Sequence, residues 1–131
     1  MSQLLNNSQA TIIVVDDSDF TRKNIVNFLR SKNFNVVGDF NHAQPALEHI
    51  TSNTTTVALI DVVLPEISGI ELCQKITANV QRTKVIMMSS LAQERIILEC
   101  IAAGAQDFLQ KPINETHLTD AILRIVQNIS T

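Results

Sequence analysis

Five short apolar runs punctuate the chain at near-regular intervals: Thr11–Val15 (TIIVV), Phe34–Val37 (FNVV), Val57–Ile60 (VALI), Lys84–Met88 (KVIMM) and Gln106–Leu109 (QDFL). Most are too short for a helix and several are β-branched, so they read as strands. Between them lie stretches with helical spacing. The first covers about Asp19 to Lys32, with Ile25, Phe28 and Leu29 on one face and Asn33 where a left-handed stop is wanted. The second, Gln44–Thr51, carries Pro45 in its first turn. The third spans Ser68–Ala78, and the fourth, Leu91–Ala103, stops at Gly104. The last starts from an Asn114 cap and stacks Leu118, Ile122, Ile125 and Ile129. Strand and helix alternating five times predict parallel crossovers and a sheet covered on both faces. The fold class expected is α/β, a flavodoxin-like doubly wound (βα)5. Its strand order 2-1-3-4-5 is carried over from known examples of that architecture.

At 131 residues the chain has room for one domain, expected over residues 11–131 after a polar tail of residues 1–10. Apolar residues at 45%, charged residues at 18% and a net charge of −3 exclude a disordered or collagen-like chain. They also speak against direct nucleic-acid binding, which needs clustered Lys and Arg. No apolar stretch suits membrane insertion or export, so a cytoplasmic location is expected. Cys73 and Cys100 lack metal-type spacing and read as two buried thiols. His42, His49 and His117 read as solvated or helix-surface residues.

In a doubly wound sheet, ligands bind beyond the carboxyl ends of the strands. There the sequence places Asp16 and Asp17, then Asp61, then Ser89 and Ser90, and finally Lys111 before Pro112. Singly, each is an ordinary cap or turn residue. Together they put three carboxylates, a hydroxyl and an ammonium at one edge. Carboxylates that close repel one another unless a cation intervenes, and Mg²⁺ with oxygen ligands is the natural one. Such a centre suits phosphoryl transfer to a carboxylate.

The motifs IIVVDDSDFTR, VALIDVVLPEISG, VIMMSS and GAQDFLQKP, in this order, make the chain resemble the receiver domain of two-component response regulators. The resemblance covers nearly everything after the tail and suggests a chemotaxis-regulator-like, single-domain form. It implies phosphorylation at Asp61 and Mg²⁺ (or Mn²⁺) held by Asp16, Asp17, Asp61 and the backbone carbonyl of Val63. Ser89 and Lys111 would stabilise the phosphoryl group, Ser89 and Phe108 would form the switch, and the Lys111–Pro112 bond would be cis. Val63 and Leu91, which flank the water path in the family, are apolar here. The implied partners are a sensor histidine kinase or histidine phosphotransfer protein, and a downstream protein target. No catalysis is implied beyond the domain's own phosphorylation and dephosphorylation.

Three rival readings exist. Asp17-Ser18-Asp19-Phe20-Thr21 fits the DxDxT pattern of Mg-dependent aspartate-nucleophile phosphatases, with Asp17 as nucleophile and Asp19 as general acid. That reading leaves Asp61 unexplained. A receiver that kept the fold and lost the chemistry would lack one of the acidic residues or the lysine, and all are present. A flavodoxin-like cofactor binder would need a Ser/Thr- and Gly-rich loop after the first strand, which is missing.

The fourth helix is apolar over more than half its circumference. Ile97, Leu98 and Ile101 form one arc, and Ile96, Cys100 and Ala103 extend it. Part of this surface should face outward, with Ile96 as the candidate partner-contacting residue.

Overall fold

The computed structural model describes residues 9–128. Five strands and five helices alternate: β1 (Thr11–Val15), α1 (Asp19–Ser31), β2 (Asn35–Phe40), α2 (Ala43–Ser52), β3 (Val57–Asp61), α3 (Gly69–Asn79), β4 (Lys84–Ser89), α4 (Glu94–Ala102), β5 (Asp107–Gln110) and α5 (Glu115–Asn128). All strands pair in parallel in the order β2-β1-β3-β4-β5. The expected flavodoxin-like fold is therefore present.

Side chains alternate across the pleat, so each strand feeds two cores. Ile12, Val14, Leu59, Ile86 and Met88 pack under α1 and α5, against Ile25, Leu29, Leu118 and Ile122. Ile13, Val15, Ile60, Val85 and Met87 face the other way, against Ile50, Leu72, Ile76 and Cys100. The three inner strands are buried on both faces, which is why they read as unbroken apolar runs.

Helix ends follow local chemistry. The Ser18 side chain caps α1 by accepting from the Thr21 N–H, and Ser68 caps α3 by accepting from the Glu71 N–H. Asn114 caps α5 in the same way, accepting from the His117 N–H. Asn33 (φ 66°) and Gly104 (φ 103°) take the left-handed conformation that ends α1 and α4. Cys73 and Cys100 are both free and buried.

Several boundaries and faces differ from the sequence expectation. Ala10, assigned to the tail, is fully buried in the core, while residues 1–8 and Ile129 lie outside the described residues. β2 runs on to Phe40 rather than stopping at Val37. The register slips between Ile12 and Ile13, leaving Val37 unmatched, and the Phe40 ring folds over Gly38, so the apolar alternation breaks midway. α4 starts at Glu94, three residues late, and ahead of it the Leu91 N–H donates to Ser89 Oγ at 2.9 Å. Its inward face is Ile96, Cys100 and Ala103, at i, i+4 and i+7, whereas Leu98 and Ile101 are 55% and 60% exposed. Ile96 is half-buried against the core, so it is not the outward residue of this helix. His49 is likewise only half-exposed; its ring lies 5.5 Å from that of Phe40, and its Nε2 is buried without a partner.

Candidate functional site

The parallel sheet brings the carboxyl ends of four strands to one edge. Asp16 follows β1 directly and is fully buried; Asp61 is the last residue of β3 and Ser89 the last of β4, both buried; Lys111 follows β5. Strand pairing fixes their relative heights. Asp61 lies opposite Met88, the Val62 N–H donates to the Met88 carbonyl at 2.8 Å, and the Lys111 N–H donates to the Ser89 carbonyl at 2.9 Å. The Lys111–Pro112 peptide is cis.

Lys111 is the hub. Its Nζ donates to Asp16 Oδ2 at 2.7 Å and to Asp61 Oδ2 at 2.8 Å. Each second carboxylate oxygen takes a backbone donor: Asp16 Oδ1 accepts from the Ser18 N–H at 2.9 Å, and Asp61 Oδ1 from the Val63 N–H at 3.2 Å. Burial pushes the Asp61 carboxyl above its ordinary range, even with the Lys111 ammonium beside it. For Lys111, burial works against the charge, but the hydrogen bonds to Asp16 and Asp61 outweigh it and hold the ammonium above its ordinary range.

Asp17 completes the cluster. Carboxylate oxygens of Asp16, Asp17 and Asp61 all lie within 4.8 Å of one another, and Asp17 is exposed to the mouth. Three carboxylates against one ammonium leave two negative charges, all on hard oxygen donors. That donor set fits a hard divalent cation such as Mg²⁺, which accepts one or two carboxylates and keeps water on its open positions. The sequence-derived residues Asp16, Asp17, Asp61 and Lys111 thus converge directly. Ser89 sits one residue beyond the strand partner of Asp61, with its hydroxyl held by the Leu91 N–H. Phe108, opposite Met87 on β5, is half-buried against the core on the far side of the sheet from α1.

Two residues escaped the sequence reading. Arg22 donates from Nη1 to the Asp16 carbonyl at 2.7 Å, from Nε to Asp39 Oδ2 at 3.0 Å, and from Nη2 to Asp19 Oδ1 at 2.6 Å. Asp39 stands near the carboxyl end of β2, where the strand-end rule would have flagged it had β2 not been cut short at Val37. A groove of about 480 Å³ opens beside Lys111, between α1 and α5, lined by Phe20, Ile25, Phe28, Pro112 and Ile113 among others.

Fold and pocket together define a doubly wound α/β signalling domain built around an acidic strand-end site. The chain belongs to the response regulator receiver domain family, whose pattern it matches over residues 12–123. It is 35% identical over 118 residues to a cyclic di-GMP phosphodiesterase of Thermotoga maritima; the match covers 90% of this chain but only 31% of that protein. It is 30% identical over 111 residues to the chemotaxis protein CheY of Bacillus subtilis, covering 85% of this chain and 92% of that one. The solved signal receiver domain of the response regulator NarL of Mycobacterium tuberculosis superposes with a TM-score of 0.85 at 28% identity, covering 91% and 97% of the two chains. Receiver domains are phosphorylation-activated switches of two-component systems. Among the described residues, no helix is long and apolar enough to cross a membrane.

The phosphatase reading is not favoured: the receiver family accounts for the chain over residues 12–123, and the Asp19 carboxylate that would serve as general acid is instead tied to Arg22 Nη2 at 2.6 Å.

Proposed function

We propose that this chain is the phosphoacceptor of a two-component or phosphorelay pathway, taking a phosphoryl group on Asp61 from a sensor histidine kinase or histidine phosphotransfer protein. The observation that carries this reading is the position of Asp61: a buried carboxylate at the centre of the pocket, paired with Lys111 and grouped with Asp16 and Asp17. An Asp61 oxygen attacks phosphorus, the bond from phosphorus to the donor nitrogen breaks, and the donor imidazole leaves with the electron pair. Asp16, Asp17, Asp61 and the Val63 carbonyl would hold Mg²⁺ (or Mn²⁺), which supplies positive charge to the phosphoryl oxygens when bound.

The chain's own groups divide the remaining work. Lys111 trades its bond to Asp61 for one to a phosphoryl oxygen, and the Ser89 hydroxyl donates to another. Drawing Ser89 inward vacates space for the Phe108 ring, which has no hydroxyl to keep it at the surface. Signal output then passes to a protein target by contact. Hydrolysis of the acyl phosphate needs an oriented water, and Val63 (54% exposed) and Leu91 (45% exposed) offer it only apolar flanks. A slow intrinsic dephosphorylation follows.

Intact-protein mass spectrometry after incubation with Mg²⁺ and acetyl phosphate or phosphoramidate tests the assignment. Wild type should gain one phosphoryl group and Asp61→Asn none. Equal labelling of both would move the acceptor elsewhere.

A further inference from the structure

Asp17 is the exposed member of the acidic cluster, and among the described residues its carboxylate makes no hydrogen bond or ion pair of its own. No side-chain partner holds it, so its place within 4.8 Å of Asp16 and Asp61 depends on where the backbone puts its Cα and on its own rotamer. That backbone is pinned on both sides. On one side the Ser18 N–H is held by Asp16 Oδ1. On the other, the Asp16 carbonyl, which is part of the Asp16–Asp17 peptide, accepts from Arg22 Nη1 at 2.7 Å.

Arg22 is itself well fixed. Its side chain is 11% exposed, and the planar guanidinium spans three segments: the end of β1 through Asp16, the first turn of α1 through Asp19, and the end of β2 through Asp39. A fork with donors in fixed directions can hold three acceptors at once, whereas a single ammonium is a point charge with less geometric specificity.

We propose that Arg22 is a positioning residue that sets the affinity and selectivity of the acidic pocket for Mg²⁺ by fixing the Asp16–Asp17 peptide, with Asp39 as its outer anchor. The inference rests on the cation reading of the pocket given above.

Charge alone argues for the opposite effect, which makes the idea decidable. Arg22, Asp19 and Asp39 carry one positive and two negative charges. Removing the guanidinium leaves both carboxylates uncompensated beside the pocket, and their field favours a bound cation. If Arg22 acted only through the field, its loss would tighten Mg²⁺ binding. Acting by position, its loss weakens binding. Mg²⁺ demands near-ideal octahedral geometry while Ca²⁺ tolerates irregular sites, so a displaced Asp17 penalises Mg²⁺ more.

The experiment is calorimetric titration of Mg²⁺ and of Ca²⁺ into the full unphosphorylated chain, as wild type, Arg22→Met and Arg22→Lys, each first shown to be folded by circular dichroism. Arg22→Lys keeps the charge without the fork and carries the test should Arg22→Met fail to fold. The expected result is a Kd for Mg²⁺ raised about tenfold in the variants, the lower end of what loss of an outer-shell contact does. The Kd for Ca²⁺ should stay within about threefold of wild type, given its looser geometry. Tighter or unchanged Mg²⁺ binding in a folded variant overturns the proposal while leaving the cation site standing, as does a parallel loss for both ions. Failure of the wild type to bind Mg²⁺ at all removes the cation reading and this inference with it.

Discussion

The carbonyl oxygen of Asp61 lies only 1.9 Å from where a Cβ at Gly69 would be, with the Asp61 carbonyl carbon at 2.8 Å. The loop after β3 therefore folds back so tightly that the start of α3 rests on the backbone of the proposed phosphoacceptor, tied there by the Gly69 N–H donating to the Val62 carbonyl at 2.8 Å. Because the obstacle is backbone rather than a flexible side-chain tip, it has no rotamer to escape into. Gly69→Ala should destabilise the domain by about 1–3 kcal/mol and displace Asp61. Urea unfolding measures the first effect, and the yield of acetyl-phosphate labelling the second. A variant with wild-type stability and labelling would contradict the close contact.

Asp61 should also weaken the fold at neutral pH. Its carboxyl is raised above the unfolded value of 3.8, chiefly by burial. A carboxyl so raised favours the folded state only while protonated, and that contribution is lost as pH rises through the folded value. At pH 7 the carboxyl is ionised in a site whose burial disfavours the charge, so Asp61→Asn should unfold at a higher urea midpoint than wild type. The advantage should shrink as pH is lowered toward 4. Paired urea midpoints at pH 7 and pH 4, without divalent cation, check this; an advantage that does not change with pH would sink it.

The two faces of α4 should respond differently to the same charge. Ile96→Asp puts a carboxylate against the core and should cost about 2 kcal/mol or more, whereas Leu98→Asp, on the exposed face, should stay within about 0.5 kcal/mol. If the outward apolar pair Leu98 and Ile101 contacts the downstream target, Leu98→Asp will label normally at Asp61 yet recover less partner in a pull-down of the phosphorylated protein. Full partner recovery by Leu98→Asp would place the output surface off this face.

Both thiols should be inert in the folded protein. Burial first, and the neighbouring Cys73 second, push the Cys100 thiol up to about 11, and the Cys73 thiol is raised as well and donates to the Ala103 carbonyl at 3.5 Å. Thiolate is the reactive form. Iodoacetamide at pH 8 should add nothing to the native chain and two groups in denaturant, read by mass. Rapid native labelling at either position would mean that the α3–α4 packing opens readily.

The sequence made the inner sheet and the strand-end residues legible because both follow simple rules. Val57–Ile60 and Val85–Met88 are buried on both faces, so every residue is apolar, and the site residues are whatever comes next. The edge strand β2 was harder, since Gly38, Asp39 and Phe40 carry no apolar alternation across a bulge. With β2 shortened, Asp39 lost its strand-end position and Arg22 its distant partner, seventeen residues away. On α4, six apolar residues exceed what a helix buries, and composition cannot choose which arc turns inward. Only the sheet beneath, through Cys100 and Ala103, settles it.

Lys111 meets its two carboxylate partners across sequence separations of 95 and 50 residues. No short peptide from this chain, and no fragment ending before β5, contains the charge balance of the pocket. A chain still being synthesised is in the same position: until the last strand has joined the sheet edge, Asp16 and Asp61 lack the ammonium that both pair with. The proposed site is thus a property of the finished sheet, and its ion pairs cannot form in any piece of the chain that lacks Lys111.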